Sequence, residues 1–178
     1  PVRMEGEGIV GGMVVGIDIT EYEQSIIGLR QAELRLNEMF SRASEGMAIT
    51  DRRGIVLKWN ESMRELTGLR AEEAIGRPIW DIEFGLLLPS QKTQAGYRQL
   101  LEHHRSMLTR GRSAVSRREM TIAGDGETQR CIEKDEFPLH GKDAEGLGII
   151  CRDITERKFA ELMLGMPNRT PRKVPGRQ

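Results

Sequence analysis

The spacing of hydrophobic residues changes along the chain, and each change marks a predicted element. Residues 9–20 are rich in Val and Ile and contain several glycines, which predicts a β-strand. Over residues 21–40 the apolar side chains recur every three or four positions, as on one face of an α-helix. We therefore expect an amphipathic helix here, with Thr20 as its N-cap. Its apolar stripe consists of Tyr22, Ile26, Leu29, Ala32, Leu36 and Met39.

Two short strands and a capped helix are expected next. The stretches Met47–Thr50 and Ile55–Trp59 are rich in apolar residues, and Asp51–Gly54 between them has the residues of a tight turn. Asn60 can cap the helix "ESMRELT", because an asparagine oxygen accepts hydrogen bonds from the first free backbone N–H groups of a helix. Gly68 then ends that helix, since glycine adopts a left-handed conformation at little cost.

A long helix and three further strands complete the pattern. Residues 90–110 place apolar side chains on a common side at helical spacing. These side chains are Tyr97, Leu100, Leu101, His104, Met107 and Leu108. The strands follow at 113–122, 127–137 and 147–155. The Asp125-Gly126 pair favours a hairpin turn between the first two. Short turns imply antiparallel pairing and the helices are clustered, so we expect an α+β fold.

Composition and charge exclude several classes of partner. Lys plus Arg and Asp plus Glu both number 27, so no overall charge directs the chain to nucleic acid or to a membrane surface. No run approaches the roughly 20 apolar residues of a membrane span. Cys131 and Cys151 lack the spacing of a zinc site or a disulfide framework, and we expect a cytoplasmic location. Residues 167–178 contain basic residues and prolines but no acid, which predicts a disordered tail.

A short motif occurs twice in the chain. The run "VVGIDITEYE" occupies residues 14–23, and "GIICRDITERK" occupies residues 148–158. The two aspartates, Asp18 and Asp153, are 135 residues apart, which is about the length of an ordinary domain. Each copy continues into a predicted helix. Asp153 and Thr155 therefore lie where a strand becomes a helix, and Thr155 is expected to cap that helix.

The central two-thirds of the chain resembles a PAS domain with its C-terminal PAC motif. The resemblance rests on "AITDRRGIVLKWNESMRELTGLRAEEAIGRP", followed by a long helix and "RDITERK". It runs from about Glu38 to Lys158. It implies a five-stranded antiparallel sheet in the order 2-1-5-4-3, with helices on one face and flanking N- and C-terminal helices. It also implies a multi-PAS signalling protein such as a sensor histidine kinase.

The resemblance gives the following organisation and function. The segments are the terminal hairpin of a preceding PAS/PAC domain (1–20), a linker or dimerisation helix (21–40), a PAS domain (41–155), an exit helix (156–166) and a basic tail (167–178). The implied function is sensory: the module binds a small ligand or relays a conformational signal to an output domain. The alternative is a ligand-free structural dimerisation module. Neighbouring PAS and output domains are the implied partners, together with a second copy of the chain.

The site residues that follow from this resemblance fall into three groups. A ligand pocket is expected at Met47, Met63, Leu66, Trp80, Leu101 and Phe137. A homodimer is expected through the helix residues Tyr22, Ile26, Leu29 and Leu36. Signal coupling is assigned to Asp153 and Thr155.

Neither a flavin–cysteine adduct, nor haem, nor enzyme chemistry is expected, and the identity of any other cofactor stays open. The stretch "GRPIWDIEF" lacks the cysteine of light-oxygen-voltage domains, which excludes a flavin–cysteine adduct. The position of the axial histidine in haem-binding relatives is Leu100 here. We expect one of His103 and His104 to be exposed and the other to pack at the edge of the apolar stripe. No nucleophile elbow, phosphate loop or metal-ligand cluster is present in the sequence, so an enzyme is not expected.

Overall fold

A computed structural model describes residues 18–109, 114–124, 128–141 and 145–165. The chain divides into two compact units, Pro1–Glu38 and Met39–Gln178. The helices are α1 (Thr20–Arg42), α2 (Glu61–Thr67), α3 (Ala71–Ala74), α4 (Ile79–Leu86), α5 (Gln94–Thr109) and α6 (Thr155–Gly165), with a 3-10 turn at Pro89–Gln91. The strands are β1 (Gly46–Thr50), β2 (Val56–Trp59), β3 (Ser116–Ala123), β4 (Gln129–Leu139) and β5 (Gly146–Asp153).

The five strands form one antiparallel sheet in the order β2-β1-β5-β4-β3, which confirms the predicted fold class. The central strand β5 pairs with β1 through Ala48 and Ile149. It pairs with β4 through Lys134 and Cys151, among other residues. The first and last strands of the domain are thus neighbours in the sheet. Both Cys131 and Cys151 are free thiols.

The core of the second unit lies between the helices and one face of the sheet. Side chains alternate across a strand, so every second residue of β4 is buried, from Ile132 to Pro138. Each fully buried large apolar side chain stabilises the fold by about 1.5–3 kcal/mol. The larger members of this core include Val56, Trp59, Met63, Leu66, Ile79, Ile82, Met107, Ile122, Ile132, Leu147 and Ile149.

Asn60 ties the start of the domain together and confirms its predicted role as a cap. Its side-chain oxygen accepts hydrogen bonds from the backbone N–H of Met63 at 2.9 Å and of Met47 at 2.8 Å. Its amide nitrogen donates to the carbonyls of Phe40 and Glu45. Asn60 is buried, and these bonds use both of its polar atoms. The same residue therefore positions β1, the end of β2 and the first turn of α2.

The helices differ from the prediction in two places. Helix α4 was not predicted, because "IWDIEFGL" is mostly apolar on all sides and shows no amphipathic period over its short length. Thr20 does not cap α1. The helix begins at Thr20 itself, whose backbone N–H donates to Asp18 Oδ1 at 2.9 Å. Most of the strand predicted over residues 9–20 lies outside the described residues, as do the turn at Asp125-Gly126 and the tail 167–178, and residues 18–20 are not part of a strand.

Candidate functional site

Four titratable side chains meet in the interior between the helices and the sheet. They are Glu83 on α4, His104 on α5, and Lys134 and Glu136 on β4, and we call them the buried charge cluster. His104 and Glu136 have no exposed surface, Lys134 is 2% exposed and Glu83 is 6% exposed. Charged groups are rarely buried unless they are paired, so such a cluster is a candidate functional site.

Ordinary periodicity brings these side chains together. On α5, Leu100, His104 and Met107 follow helical spacing and form its buried face. On β4, Lys134 and Glu136 are two residues apart and therefore point to the same face of the sheet. Glu83 follows Ile82 on the buried side of α4. The packing of α4 and α5 against the sheet then places all four groups in one volume.

The contacts within the cluster form a closed network. Lys134 Nζ makes a short ion pair with Glu83 Oε1 and lies 3.0 Å from Glu136 Oε1. His104 Nε2 and Glu83 Oε2 are hydrogen-bonded at 2.9 Å. His104 Nδ1 lies 3.1 Å from Glu136 Oε1, but neither atom has a hydrogen-bond partner among the described residues. Each carboxylate therefore contacts both the lysine and the histidine.

Two further groups contact the cluster from its rim. His103 Nε2 lies 2.6 Å from Glu136 Oε2, and the His103 side chain is 23% exposed. The Arg118 guanidinium on β3 donates to the same oxygen at 3.2 Å. Glu136 is thus the member of the cluster that connects the interior with partly exposed side chains.

The environment shifts the protonation of the two central groups. Burial raises the pKa of Glu136, but the Lys134 ammonium and the hydrogen bond from His103 outweigh it and hold the pKa well below its usual range. Burial lowers the pKa of His104, and Arg118 adds to this effect while Glu136 opposes it. On the neighbouring strand β5, burial raises the pKa of the Cys151 thiol to about 12. Glu136 is therefore ionised at neutral pH, and Cys151 is a neutral thiol.

The cluster has the residue types of a metal site but already contains a cation. Glu83, His104 and Glu136 each offer an oxygen or nitrogen atom within 4.8 Å of the others. The Lys134 ammonium contacts both carboxylates and offsets part of their negative charge. The structure thus assigns the positive charge of this site to Lys134.

The structure does not bring the predicted pocket residues together. Met63 and Leu66 belong to the core, and Trp80 packs against its margin. Met47 and Phe137 lie on the opposite face of the sheet, because they alternate with the inward-facing Ala48 and Glu136.

Two further observations complete this correction of the predicted pocket. Leu101 is half-buried on α5 and is not part of the core. The cavity in the core measures about 30 Å³ and is lined by Met63 but by none of the other five predicted residues. That volume holds about one or two water molecules.

Asp153 and Thr155 lie at the junction between β5 and α6, but Thr155 is the first residue of the helix and not its predicted N-cap. The backbone N–H of Thr155 donates to Asp153 Oδ1 at 2.9 Å, and the Thr155 hydroxyl donates to the same oxygen at 2.5 Å. The backbone N–H of Cys131 on β4 donates to the Thr155 hydroxyl at 3.0 Å. The Cys131 carbonyl accepts a hydrogen bond from Ile154 at 2.8 Å. The start of the exit helix is thus attached to the strand that carries Lys134 and Glu136.

The stripe residues of α1 are exposed. Tyr22, Ile26, Leu29 and Leu36 are all at least 48% exposed, and none of the described residues of α1 is buried. Such a stripe on a long helix is typical of a surface that pairs with another helix. None of the helices in the described part of the chain is long and apolar enough to cross a membrane.

Sequence patterns located only one member of the buried charge cluster. His104 shares a side of α5 with Leu100 and Met107, so its spacing pointed to the interior. In "EKDE", residues 133–136, the charges are continuous, and a continuous run does not show which residues face inward. Glu83 lies in the unpredicted helix α4.

Three solved PAS-domain structures are similar to this chain. One is the PAS domain of a protein from Colwellia psychrerythraea, with 22% identity, a TM-score of 0.52, and coverage of 74% of this chain and 99% of that chain. The PAS domain of an HTR-like protein from Haloarcula marismortui has 17% identity and a TM-score of 0.55, with coverage of 74% and 99%. That of Bordetella pertussis BvgS has 17% identity and a TM-score of 0.54, with coverage of 77% and 99%. These similarities show a shared fold.

Sequence comparison identifies the family directly. A methionyl-tRNA formyltransferase from Roseobacter denitrificans is 29% identical over 110 residues, which are 59% of this chain and 34% of that protein. The chain therefore spans about a third of the length of this curated relative. Residues 44–156 match the family model described as PAS domain, and they cover β1 to β5 and the start of α6. The chain belongs to the PAS domain family.

Proposed function

We propose that this chain relays a conformational signal from the interior of its PAS domain, through α6, to an output domain. The observation that carries the proposal is the attachment of the exit helix to β4. The Cys131 backbone N–H donates to the Thr155 hydroxyl and its carbonyl accepts from the Ile154 N–H, so β4 and the start of α6 are coupled. A displacement of β4 would therefore change the start of the exit helix.

The interior end of this path is the buried charge cluster. Lys134 and Glu136 lie on the same strand as Cys131, within five residues of it. Across the sheet, Lys134 pairs with Cys151 and Ile132 pairs with Asp153. A change in the ion pairs of β4 can thus reach Asp153 through one pair of hydrogen-bonded strands. Interior packing is bistable rather than continuously deformable, which favours discrete states of such a path.

The small core cavity supports a relay rather than a module built around a large cofactor. A cavity of about 30 Å³ holds water, whereas a haem or a flavin needs several hundred Å³. Charged side chains, rather than an organic cofactor, are therefore the groups that change state in this proposal. The alternative is a ligand-free dimerisation module, which the exposed stripe of α1 favours. The relay and the dimerisation function are compatible, but only the relay requires β4 to move.

The surroundings of the domain form part of the same proposal. A homodimer pairs through the α1 residues Tyr22, Ile26, Leu29 and Leu36, which would cover an apolar stripe that is exposed in the single chain. The PAC motif and the repeated Asp-Ile-Thr turn support an origin in a cytoplasmic multi-PAS protein, for which we propose a sensor histidine kinase. The chain itself is assigned no reaction.

Hydrogen exchange of α6 tests the relay. Replacing Glu83→Gln weakens the ion pair with Lys134 at the far end of the path, and we expect faster or slower exchange at residues 155–165. Arg117→Gln is the matched control, because Arg117 pairs with Asp135 on the exposed face of the same strands. Unchanged exchange at α6 in folded Glu83→Gln protein would refute the relay and leave the dimerisation module.

A further inference from the structure

His104 has a carboxylate at each of its two ring nitrogens. Its Nε2 lies 2.9 Å from Glu83 Oε2, and its Nδ1 lies 3.1 Å from Glu136 Oε1. An ionised carboxylate can only accept hydrogen bonds, and a neutral imidazole carries a single N–H. A neutral His104 between two ionised carboxylates can therefore satisfy only one of these contacts. The second contact needs one more proton.

The two contacts differ in their geometry. The Nε2 contact to Glu83 is a hydrogen bond. His104 Nδ1 and Glu136 Oε1 are both buried and have no hydrogen-bond partner among the described residues. These two atoms lie 3.1 Å apart, but the contact does not have the direction of a hydrogen bond. A proton on Nδ1, with a small rotation of the Glu136 carboxylate, would convert this contact into a charge-assisted hydrogen bond.

The charge of the cluster also depends on this proton. A proton on His104 adds one positive charge beside the ionised Glu136, which already contacts the Lys134 ammonium and the Arg118 guanidinium. The groups that face it from the other elements are Arg118 on β3, His103 on α5 and the neutral thiol of Cys151 on β5. Trp80 on α4 has its ring centroid 6.4 Å from that of His104.

We propose that the buried charge cluster is a proton-binding site, and that the domain senses acidification by taking up a proton at His104 Nδ1. The bound ligand is the proton itself, shared between His104 and Glu136. This assignment rests on the proposed relay function, because it names the signal that the relay carries. Proton uptake joins α5 to β4 through the new hydrogen bond. It thereby changes the position of β4, the strand to which the exit helix is attached.

Opposing effects act on the protonation of His104. Burial disfavours the imidazolium, and so does the Arg118 charge, whereas Glu136 favours it. The net effect keeps the pKa of His104 below its ordinary value of about 6.5, so the folded protein takes up this proton only below that pH. A sensor needs two states that a modest change in its ligand can interconvert.

A path for the proton is present. His103 is partly exposed and contacts Glu136 Oε2 at 2.6 Å, while the other oxygen of the same carboxylate faces His104. Exchangeable groups thus connect solvent to Nδ1 through His103 and Glu136. The site does not need to open to bulk water for its proton to exchange.

The test is an NMR titration of the whole chain, labelled at the histidine ring nitrogens. The titration runs from about pH 4.5 to about pH 8, which brackets the ordinary histidine pKa of about 6.5. We expect His104 to change from a neutral ring to an imidazolium with a midpoint below the ordinary histidine value of about 6.5. The backbone amides of α6 should shift with the same midpoint as His104. His104→Gln should abolish the α6 transition, whereas His140→Gln should leave it unchanged.

A second variant covers the case in which His104→Gln does not fold. Glu136→Gln supplies a neutral amide donor to Nδ1 and removes the negative charge, so the midpoint of His104 should fall by at least one pH unit, about tenfold in proton affinity. A midpoint unchanged by Glu136→Gln would overturn the proposal. An α6 transition that persists in His104→Gln would overturn it as well.

The outcomes separate this inference from the relay on which it rests. If His104 does not titrate but Glu83→Gln alters exchange at α6, the proton is not the signal and the relay stands. If His104 titrates and α6 responds neither to pH nor to Glu83→Gln, the relay itself fails. If His104 titrates and the α6 amides shift with the same midpoint, both the proton-binding site and the relay are supported.

Discussion

Thr155 donates two hydrogen bonds to one oxygen of Asp153, from its backbone N–H at 2.9 Å and from its hydroxyl at 2.5 Å. The hydroxyl also accepts a hydrogen bond from the backbone N–H of Cys131 at 3.0 Å. A single side chain therefore joins the end of β5, the start of α6 and the neighbouring strand β4. The first prediction tests this junction.

Replacing Thr155→Val keeps the shape of the side chain but removes the hydroxyl. We expect a loss of about 1–2 kcal/mol in the free energy of unfolding, because the hydrogen bonds of the hydroxyl with Asp153 and Cys131 are lost, and faster hydrogen exchange in the first turn of α6. Chemical denaturation and exchange measure the two effects. Thr109→Val is the control, because its hydroxyl contacts only carbonyls in its own helix among the described residues. If Thr155→Val and Thr109→Val lowered the free energy of unfolding equally, Thr155 would not have its assigned role at the junction of β5, α6 and β4.

Replacing Lys134→Met should be among the most destabilising single changes in the domain. It leaves Glu83 and Glu136 buried without their cation, and breaking a buried ion pair costs about 3–5 kcal/mol. Arg117→Met removes a cation from an exposed pair with Asp135 on the other face, which should cost at most about 1 kcal/mol. Denaturant midpoints measure both. A Lys134→Met protein as stable as Arg117→Met would show that the carboxylates become neutral when the lysine is lost.

The stability of the domain should fall as the pH decreases below about 6.5. The folded state lowers the pKa of His104, so the unfolded chain takes up this proton first and is favoured by acidification. The contribution of His104 is complete above that pH and is lost progressively until the folded protein is also protonated. Glu136, whose pKa is lowered, adds a second loss below about pH 4.5.

Thermal unfolding from pH 8 to pH 5 measures the histidine contribution. His104→Gln should reduce the dependence of the unfolding temperature on pH above pH 5. His140→Gln should not, because His140 is exposed. An unchanged slope in His104→Gln would assign the pH dependence to another group.

The dimer prediction concerns the exposed stripe of α1. Leu29→Glu with Leu36→Glu places two charges in the stripe and should convert dimers to monomers in sedimentation equilibrium. Gln24→Glu with Gln31→Glu adds the same charge on the opposite side of the helix and should leave the dimer intact. If the leucine double variant remains dimeric, α1 is not the interface.

The position of Phe137 on the outer face of the sheet has its own test. A Cβ atom at Gly148 would lie 2.4 Å from Cε2 of the Phe137 ring, which covers this glycine across the strand pair. We expect Gly148→Ala to destabilise the domain by about 1–3 kcal/mol. Phe137→Leu should recover most of that loss in the double variant, since it removes the ring. Full additivity of the two changes would show that the ring does not cover Gly148.

The order of strands and helices was predictable because turns and caps depend on local residues. Asn60 and Gly68 act at the positions expected from residue type alone. The assignment of strand faces was not predictable in the same way. Alternation separates the two faces of a strand but does not show which one the helices cover, and for this reason Met47 and Phe137 were assigned to the wrong face.

The buried charge cluster was hidden for a different reason. Burial of Lys134 and Glu136 depends on partners 51 and 33 residues away in sequence, Glu83 and His103, which periodicity cannot relate to them. A charge pattern predicts exposure unless the partners are known to be close in space. Only His104, on the apolar side of a helix, gave a signal that could be found locally.

The repeated Asp-Ile-Thr turn has a consequence for how such domains can be joined. In both copies the helix begins at the threonine, and the backbone N–H of Thr20 and of Thr155 donates to the aspartate two residues earlier at 2.9 Å. The turn therefore fixes the rotation of the following helix about its own axis at the first helical residue. Each residue added to that helix rotates whatever is attached to its end by about 100°, and seven residues nearly restore the direction. The number of residues in a connecting helix, counted from the threonine, would then set the rotation of the effector module relative to the sensor module.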